Sequence, residues 1–516
     1  MCHSLSLVHS YSSSIIYYLN RFAPLEPMAY FRIQYFYVKY PHMRLGQTSI
    51  VFYISNLLAS VLGFVATIYF TRLLGPSVFG TYSLIIVVVA WLQFGSELGI
   101  TTALKKRVSE SADGVPYLIA GFATMSTFFT LTALVIVAVS PQLTGYLGVD
   151  MTALLLALLG VRVIFRFVRV GLEGQRRVHI SGGLEPIQRL CQSTFQISLL
   201  ALGLGLWGML AGAIIGTFLT ALFGVTQLRL SLKLPQKKHF RSILSFARFS
   251  WLDSLRGRSF TWMDIFVLGL FVPSSFVGFY NAAWNVASFL AFGNAVSSAF
   301  FPEISEISSN GNLDEIGSLV SDTLAFNGLF LIPGLIGASL LGDRILLVYG
   351  SDFSEGYPAL VLLIGSLLIY GYFKQLLNTL MAIDRPDLAY WCNISFVGSN
   401  TVLNVVLVWQ FGWLGAAVGS LIASAAAFVI SYHYLSSLVS FTIPIREIFE
   451  QMIAATVMGV VILISLPVEE FFPPILPSLV ATLCFIGLGG IIYFSCLIGI
   501  SPRFRGILRN NVSFIG

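Results

Sequence analysis

Five charged residues interrupt an otherwise apolar stretch running from Ser245 to Phe271: Arg248, Asp253, Arg256, Arg258 and Asp264. The stretch is long enough to cross a bilayer, because a helix rises about 1.5 Å per residue and the hydrocarbon core is about 30 Å thick. If the helix enters near Phe246, Arg256 and Arg258 lie roughly 15–18 Å deep, close to the midplane. A charge at that depth costs about 2.5–3.5 kcal/mol on insertion scales, so two arginines there need buried counter-charges or water. Successive residues turn by about 100°, which puts Asp253, Arg256 and Asp264 on one face and sends Arg258 out about 200° from Arg256. The carboxylates can partly neutralise Arg256 in an ion-pair network that could gate closure. Arg258 has no partner within its own helix and is the freer charge. Gly257 between the two would tolerate a local break in the helix. Guanidinium is always charged and grips phosphate in a fork. The chemistry on offer is therefore anion binding at the wall of a wet, cationic cavity, with Arg258 as the most direct ligand.

A second set of arginines fits the same chemistry. Arg162, Arg166, Arg169 and Glu173 follow one another at spacings of four, three and four, on one stripe of a helix. Arg169 is near the end of its span and is expected to snorkel to the interface. Arg162, about 17 Å into the span, is expected to face protein or water. Arg162, Arg166, Arg256 and Arg258 are the candidate substrate-binding residues. Glu97, Asp253 and Asp264 are the candidate coupling or ion-pair residues, with Glu97 a partner for a nearby arginine. Glu185 and Arg189, four apart, read as a local pair. No pattern of catalytic or metal-ligating residues stands out, and no cofactor is expected.

The elements that must carry these charges are transmembrane helices. Of 516 residues 56% are hydrophobic and only 10% charged, against about 25% charged in soluble proteins. Apolar runs long enough to span a membrane recur fourteen times, the first near 48–70 and the last near 476–498. The five cysteines are scattered and suggest neither a disulfide framework nor a metal site. The net charge of +6 is read by location rather than as a sign of nucleic-acid binding. Lys105, Lys106, Arg107, Arg176, Arg177, Lys233, Lys237, Lys238, Arg241, Arg385, Arg446, Arg503, Arg505 and Arg509 fall on one side, and only Arg72 and Arg344 on the other. The basic side is expected to be cytoplasmic, with both termini inside.

Pro76-Ser77-Val78-Phe79-Gly80-Thr81-Tyr82 is echoed by Pro273-Ser274-Ser275-Phe276-Val277-Gly278-Phe279-Tyr280, and the Gly212-to-Gly216 run by Gly415 to Gly419. Both offsets are about 200 residues, or six spans, which implies two lobes of like orientation with a site between them. The expected layout is an extension at 1–44, a first lobe at 45–233, a second at 234–438, and two further spans and a tail at 439–516. Residues 1–42, rich in tyrosine and lacking signal-peptide features, suggest either a non-native start with Met43 or Met28 as the real one or a short amphipathic surface anchor.

The run Arg72 to Tyr82 resembles the first outside loop of polysaccharide flippases in the multidrug/oligosaccharidyl-lipid/polysaccharide exporter superfamily. Phe301-Pro302-Glu303-Ile304-Ser305, Tyr349-Gly350-Ser351-Asp352-Phe353 and Ile383-Asp384-Arg385-Pro386 look like further landmarks of that family. The resemblance implies an all-α polytopic protein with two six-helix lobes and two C-terminal helices. It implies alternating access that carries lipid-linked oligosaccharides to the outer leaflet of a prokaryotic plasma membrane, and no enzymatic activity. Glycosyltransferases and a polymerase of the same pathway are the expected partners, besides the glycan lipid and membrane lipids. The membrane potential, Na+ or H+ could drive the cycle. A peptidoglycan-precursor flippase shares the arginine logic. A cation-coupled drug exporter would favour carboxylates and aromatics in the cavity. A membrane-embedded glycosyltransferase or polymerase would need acidic metal ligands or a large outside loop, and neither is found.

Overall fold

The computed structural model describes residues 45–111, 114–230, 233–291, 301–309, 313–467 and 478–506. The expectation about residues 1–42 lies outside these, as does the side chain of Asp253. The chain from Leu58 onward forms one compact unit, distinct from residues 1–57. Among the described residues every regular element is helical. In order these are α1 (Leu45–Glu97), α2 (Ile100–Glu110), α3 (Val115–Ala138), α4 (Ser140–Leu147), α5 (Thr152–Gly174), α6 (Val178–Ala201), α7 (Gly205–Thr226), α8 (Lys237–Phe271) and α9 (Ser274–Leu290). They continue as α10 (Phe301–Ser309), α11 (Leu313–Leu346), α12 (Tyr357–Ala382), α13 (Pro386–Phe411), α14 (Leu414–Ser436), α15 (Ile445–Ser465) and α16 (Ser478–Ile500).

Nine helices among the described residues are long and apolar enough to cross a membrane, against the fourteen spans expected. The difference has physical causes. One of the nine, Val61–Glu97, is 37 residues long, far more than the roughly 20 a single crossing needs. Gly75 divides it, with φ 73° and ψ 176°, a conformation that glycine adopts without a Cβ penalty. Pro76 then starts the next helical segment, where its missing N–H costs nothing. Helices α5, α6 and α8 carry the charges that dilute their apolarity. The second expected span, 81–104, is also not continuous. It breaks at Leu98 and Gly99, both at positive φ. A Cβ on Gly99 would sit 2.6 Å from both the Ala247 carbonyl oxygen and Ser250 Oγ, so the break lets α8 pass close, and Ser250 Oγ donates to the Gly99 carbonyl at 3.0 Å.

The two halves of the repeat meet face to face at the end carrying the paired Pro-Ser motifs. A Cβ on Gly80 would overlap the Ser274 carbonyl, and one on Gly278 would overlap the Pro76 carbonyl. Each copy's glycine thus admits the other copy's turn. Ser77 Oγ and Ser274 Oγ lie 3.0 Å apart, Asn281 Nδ2 donates to Ser83 Oγ at 2.7 Å, and Arg72 Nε donates to the Val348 carbonyl at 2.8 Å. Phe79 packs edge-on against Phe353 just behind this contact.

Helices α15 and α16 pack on α11. Near the chain end Arg503 bridges Asp322 of α11 and Glu447 of α15. Gln451 Nε2 donates to the Ala325 carbonyl at 2.9 Å in the same layer.

Candidate functional site

The arginine stripe of α5 is set by that helix's amphipathic pattern. Leu155, Leu158, Leu159, Val163, Phe167 and Val168 are buried, and this leaves the stripe to face polar neighbours. Its end toward Glu173 is neutralised. Lys105 Nζ lies 2.8 Å from Glu173, and Ser181 Oγ donates to the same carboxylate at 3.1 Å. Arg169 does not simply snorkel: Glu185 of α6 reaches it at 3.1 Å and is shared with Arg189 at 3.1 Å. The pair read from sequence as local is therefore one link of a chain across two helices.

Arg162 and Arg166 differ. Both are partly exposed, and among the described residues neither has an ion pair or a hydrogen bond. Arg162 lies within electrostatic reach of Arg258 and Tyr82, and Arg166 within reach of Arg258. Three of the four predicted arginines therefore share one field.

Arg258 is not the freer charge that its own helix suggests. Its Nη2 lies 3.3 Å from Glu97 Oε2, and its Nη1 donates to the Ala90 carbonyl at 2.5 Å. Its guanidinium stands 5.5 Å from the centre of the Phe94 ring. Positions 90, 94 and 97 form one face of α1, so Arg258 lies along that face. Glu97 is only 5% exposed and is steadied by Gln93 Nε2 at 2.7 Å. The partner is on another helix, and for that reason the helical wheel of α8 could not show it. Breaking such a pair by removing one member costs about 3–5 kcal/mol. Glu97→Ala should therefore lower the melting temperature of the purified protein, and the exchanged pair Glu97→Arg with Arg258→Glu should recover most of the loss.

Helix α8 runs unbroken through Gly257, so Arg256 and Arg258 diverge as helical geometry requires. Arg256 Nη1 donates to Tyr370 Oη of α12 at 3.3 Å, and the Tyr370 ring stacks on Phe260 with centroids 3.5 Å apart. Asp264 is two turns from Arg256, about 12 Å along the axis, and is met by neutral groups instead. Ser420 Oγ lies 2.7 and 2.9 Å from its two oxygens, and Tyr280 Oη donates to it. Asn400 Nδ2 donates to Ser420 Oγ at 2.9 Å, with Asn404 Nδ2 bonded to the Asn400 carbonyl at 2.9 Å. Asp264 is 2% exposed. Sequence reading missed Tyr370, Tyr280, Asn400, Asn404 and Ser420. The period-four spacing of Asn400 and Asn404 within an apolar span was the available signal. Among the described residues no group of three or more His, Cys, Asp or Glu side chains could hold a metal ion.

Comparison with known proteins adds the context. Residues 69–358 match the family described as polysaccharide biosynthesis protein. "Probable flippase AglR" of Haloferax volcanii is 29% identical over 468 residues, covering 90% of this chain and 97% of that protein. "Probable low-salt glycan biosynthesis flippase Agl15" of the same organism is 30% identical over 400 residues, covering 77% of this chain and 85% of that protein. Among solved structures, "Lipid II flippase MurJ, inward closed conformation" superposes with a TM-score of 0.71 at 16% identity, covering 90% of this chain and 99% of that one. A multidrug resistance MATE family transporter in an inward-facing conformation superposes with a TM-score of 0.55 at 15% identity, over 73% of this chain and 95% of that one. Both likenesses concern the fold.

Proposed function

Because this chain belongs to the polysaccharide biosynthesis protein family, we propose that it is a flippase carrying lipid-linked glycan precursors from the cytoplasmic to the outer leaflet by alternating access. It is a transporter, not an enzyme. The observation that carries the reading is the pair Arg162 and Arg166: two partly exposed guanidiniums at membrane depth with no ion pair among the described residues. Such a pair is stable there if water reaches it, and it offers two permanent forks to a phosphate or pyrophosphate. Arg258 adds to the field and shares its charge with Glu97. Arg256 serves the packing against Tyr370. The glycan lies in the aqueous space and the lipid tail stays in the bilayer between the lobes.

The basic loops favour an orientation with both termini in the cytoplasm of a prokaryotic cell. Phosphate carries negative charge outward down a negative-inside potential, worth about 2.3 kcal/mol per charge per 100 mV. Asp264 is the candidate for a coupling cation or proton: it is buried, charged when ionised, and met by the hydroxyls of Ser420 and Tyr280. Replacing it by asparagine keeps the shape and removes the charge. Asp264→Asn should leave abundance near normal while transport loses its response to an imposed Na+ or pH gradient.

The function is tested in proteoliposomes holding the full chain and a polyprenyl-pyrophosphate glycan, with an impermeant lectin reading glycan exposure. Protein-dependent exposure is expected. Efflux of a cationic dye with no glycan movement would overturn the reading in favour of a drug exporter.

A further inference from the structure

The two repeats hold the same polar socket with different contents. In the second repeat Ser420 directly follows Gly419, accepts the Asn400 amide at 2.9 Å, and is approached by Tyr280 from α9. In the first repeat Thr217 directly follows Gly216 and accepts the Gln188 amide at 3.0 Å. Tyr82 stands two residues after Gly80 as Tyr280 stands two after Gly278. Gly216 closes on the backbone of Gln192, and Gly419 on the backbone of Asn404. Gln188 thus corresponds to Asn400, Gln192 to Asn404, Thr217 to Ser420 and Tyr82 to Tyr280.

The charged member has changed sign. Counting back from the paired prolines, Pro273 and Pro76, the counterpart of Asp264 is Thr67. Its hydroxyl is spent on the Gly63 carbonyl of its own helix at 2.8 Å. In place of an acid the first socket has the guanidinium of Arg162 within electrostatic reach of Tyr82. The two phenols are consequently used differently. Tyr280 gives its proton to Asp264. Tyr82 accepts from Gln196 Nε2 at 3.0 Å, and Gln192 lies against the same oxygen. Among the described residues nothing accepts the Tyr82 proton. A partly buried O–H donor whose oxygen already accepts from Gln196, within electrostatic reach of an arginine that has no ion pair among the described residues, suits an oxyanion.

We propose that Tyr82 is a phosphoryl ligand: its O–H donates to a non-bridging oxygen of the substrate phosphate or pyrophosphate while Arg162 supplies the charge. The proposal rests on the flippase reading and adds a neutral donor to its arginines. A hydroxyl fixes the direction of the oxyanion more narrowly than a flexible cation does.

The test uses the full chain in zwitterionic micelles, titrated with inorganic pyrophosphate and, separately, with phosphatidylglycerol. Tyr82→Phe keeps the ring and removes the donor. It should weaken pyrophosphate binding roughly tenfold, the order expected for one hydrogen bond to a charged group, with an unchanged melting temperature. Gln196→Met removes the amide that Tyr82 accepts from but spares the phenol, and should bind pyrophosphate as the wild type does. Equal losses in both variants would mean that Tyr82 acts only through packing and would overturn the proposal. So would a loss confined to phosphatidylglycerol, which would make the site one for lipid headgroups. Pyrophosphate binding that survives Tyr82→Phe but is lost in Arg162→Ala would remove Tyr82 and leave the cationic reading standing. Binding unchanged in both would overturn the two together.

Discussion

A disulfide between cysteines placed at positions 77 and 274 is expected to stop transport almost completely, and a reductant to restore it. The two hydroxyl oxygens lie 3.0 Å apart across the repeat, so cysteines there approach the spacing a disulfide needs, with Cβ atoms about 3.5–4.5 Å apart. Alternating access requires this end of the molecule to open if it faces outward, as the loop charges indicate. A covalent tie forbids that opening while leaving the arginine cluster untouched. The measurement is glycan exposure in proteoliposomes with a background lacking all five native cysteines, Cys2, Cys191, Cys392, Cys484 and Cys496. Full transport with the bond demonstrably formed would show that the two turns never separate during the cycle. Glycine supplies a second handle on the same surface: bulk at Gly80 or Gly278 should push the turns apart and expose position 77 to impermeant thiol reagents.

The double change Arg162→Ala with Arg166→Ala is expected to cost the most among side-chain substitutions. Each arginine contributes charge-assisted hydrogen bonds to a phosphoryl group worth about 1.5–3 kcal/mol, so losing both predicts at least about a hundredfold fall in transport. Membrane abundance should be near normal, since neither side chain bonds to another described residue. That combination separates the pair from Arg258, whose removal strands Glu97 and lowers abundance as well. Lysine at both positions keeps the charge without the fork and should give partial transport. Normal transport by the double alanine variant would dismiss the stripe of α5 as the substrate site.

Much of the fold was legible because membrane insertion leaves few options. Apolar length gives helices, and the paired Pro-Ser motifs mark the two turns that meet in the fold. The arginines themselves were legible too, since charge at membrane depth is conspicuous. Their partners were not. Arg258 meets Glu97, about 160 residues earlier in the chain, and Arg169 meets Glu185 of the next helix. A helical wheel shows only neighbours at three and four residues. The same limit hid the neighbours of Arg256 and Arg258 on other helices: Tyr370 and Glu97 arrive from outside α8. The break at Leu98 and Gly99 was absorbed into a single expected span, and the approach of α8 gives it a reason.

The closed end joining the two repeats is built largely from backbone. Glycine Cα atoms lie on carbonyl groups, two serine hydroxyls meet, and an asparagine meets a serine, with Arg72 donating to a carbonyl across them. Ionic strength screens exposed charges over about 10 Å at 0.1 M salt, but it does not weaken van der Waals contact or neutral hydrogen bonds in the same way. The seal should therefore hold equally well in dilute and in concentrated brine. A dependence of transport on ionic strength at constant Na+ then belongs to the capture of the anion by the arginines, and the ionic strength of the medium becomes a way to titrate loading while the gate is left alone.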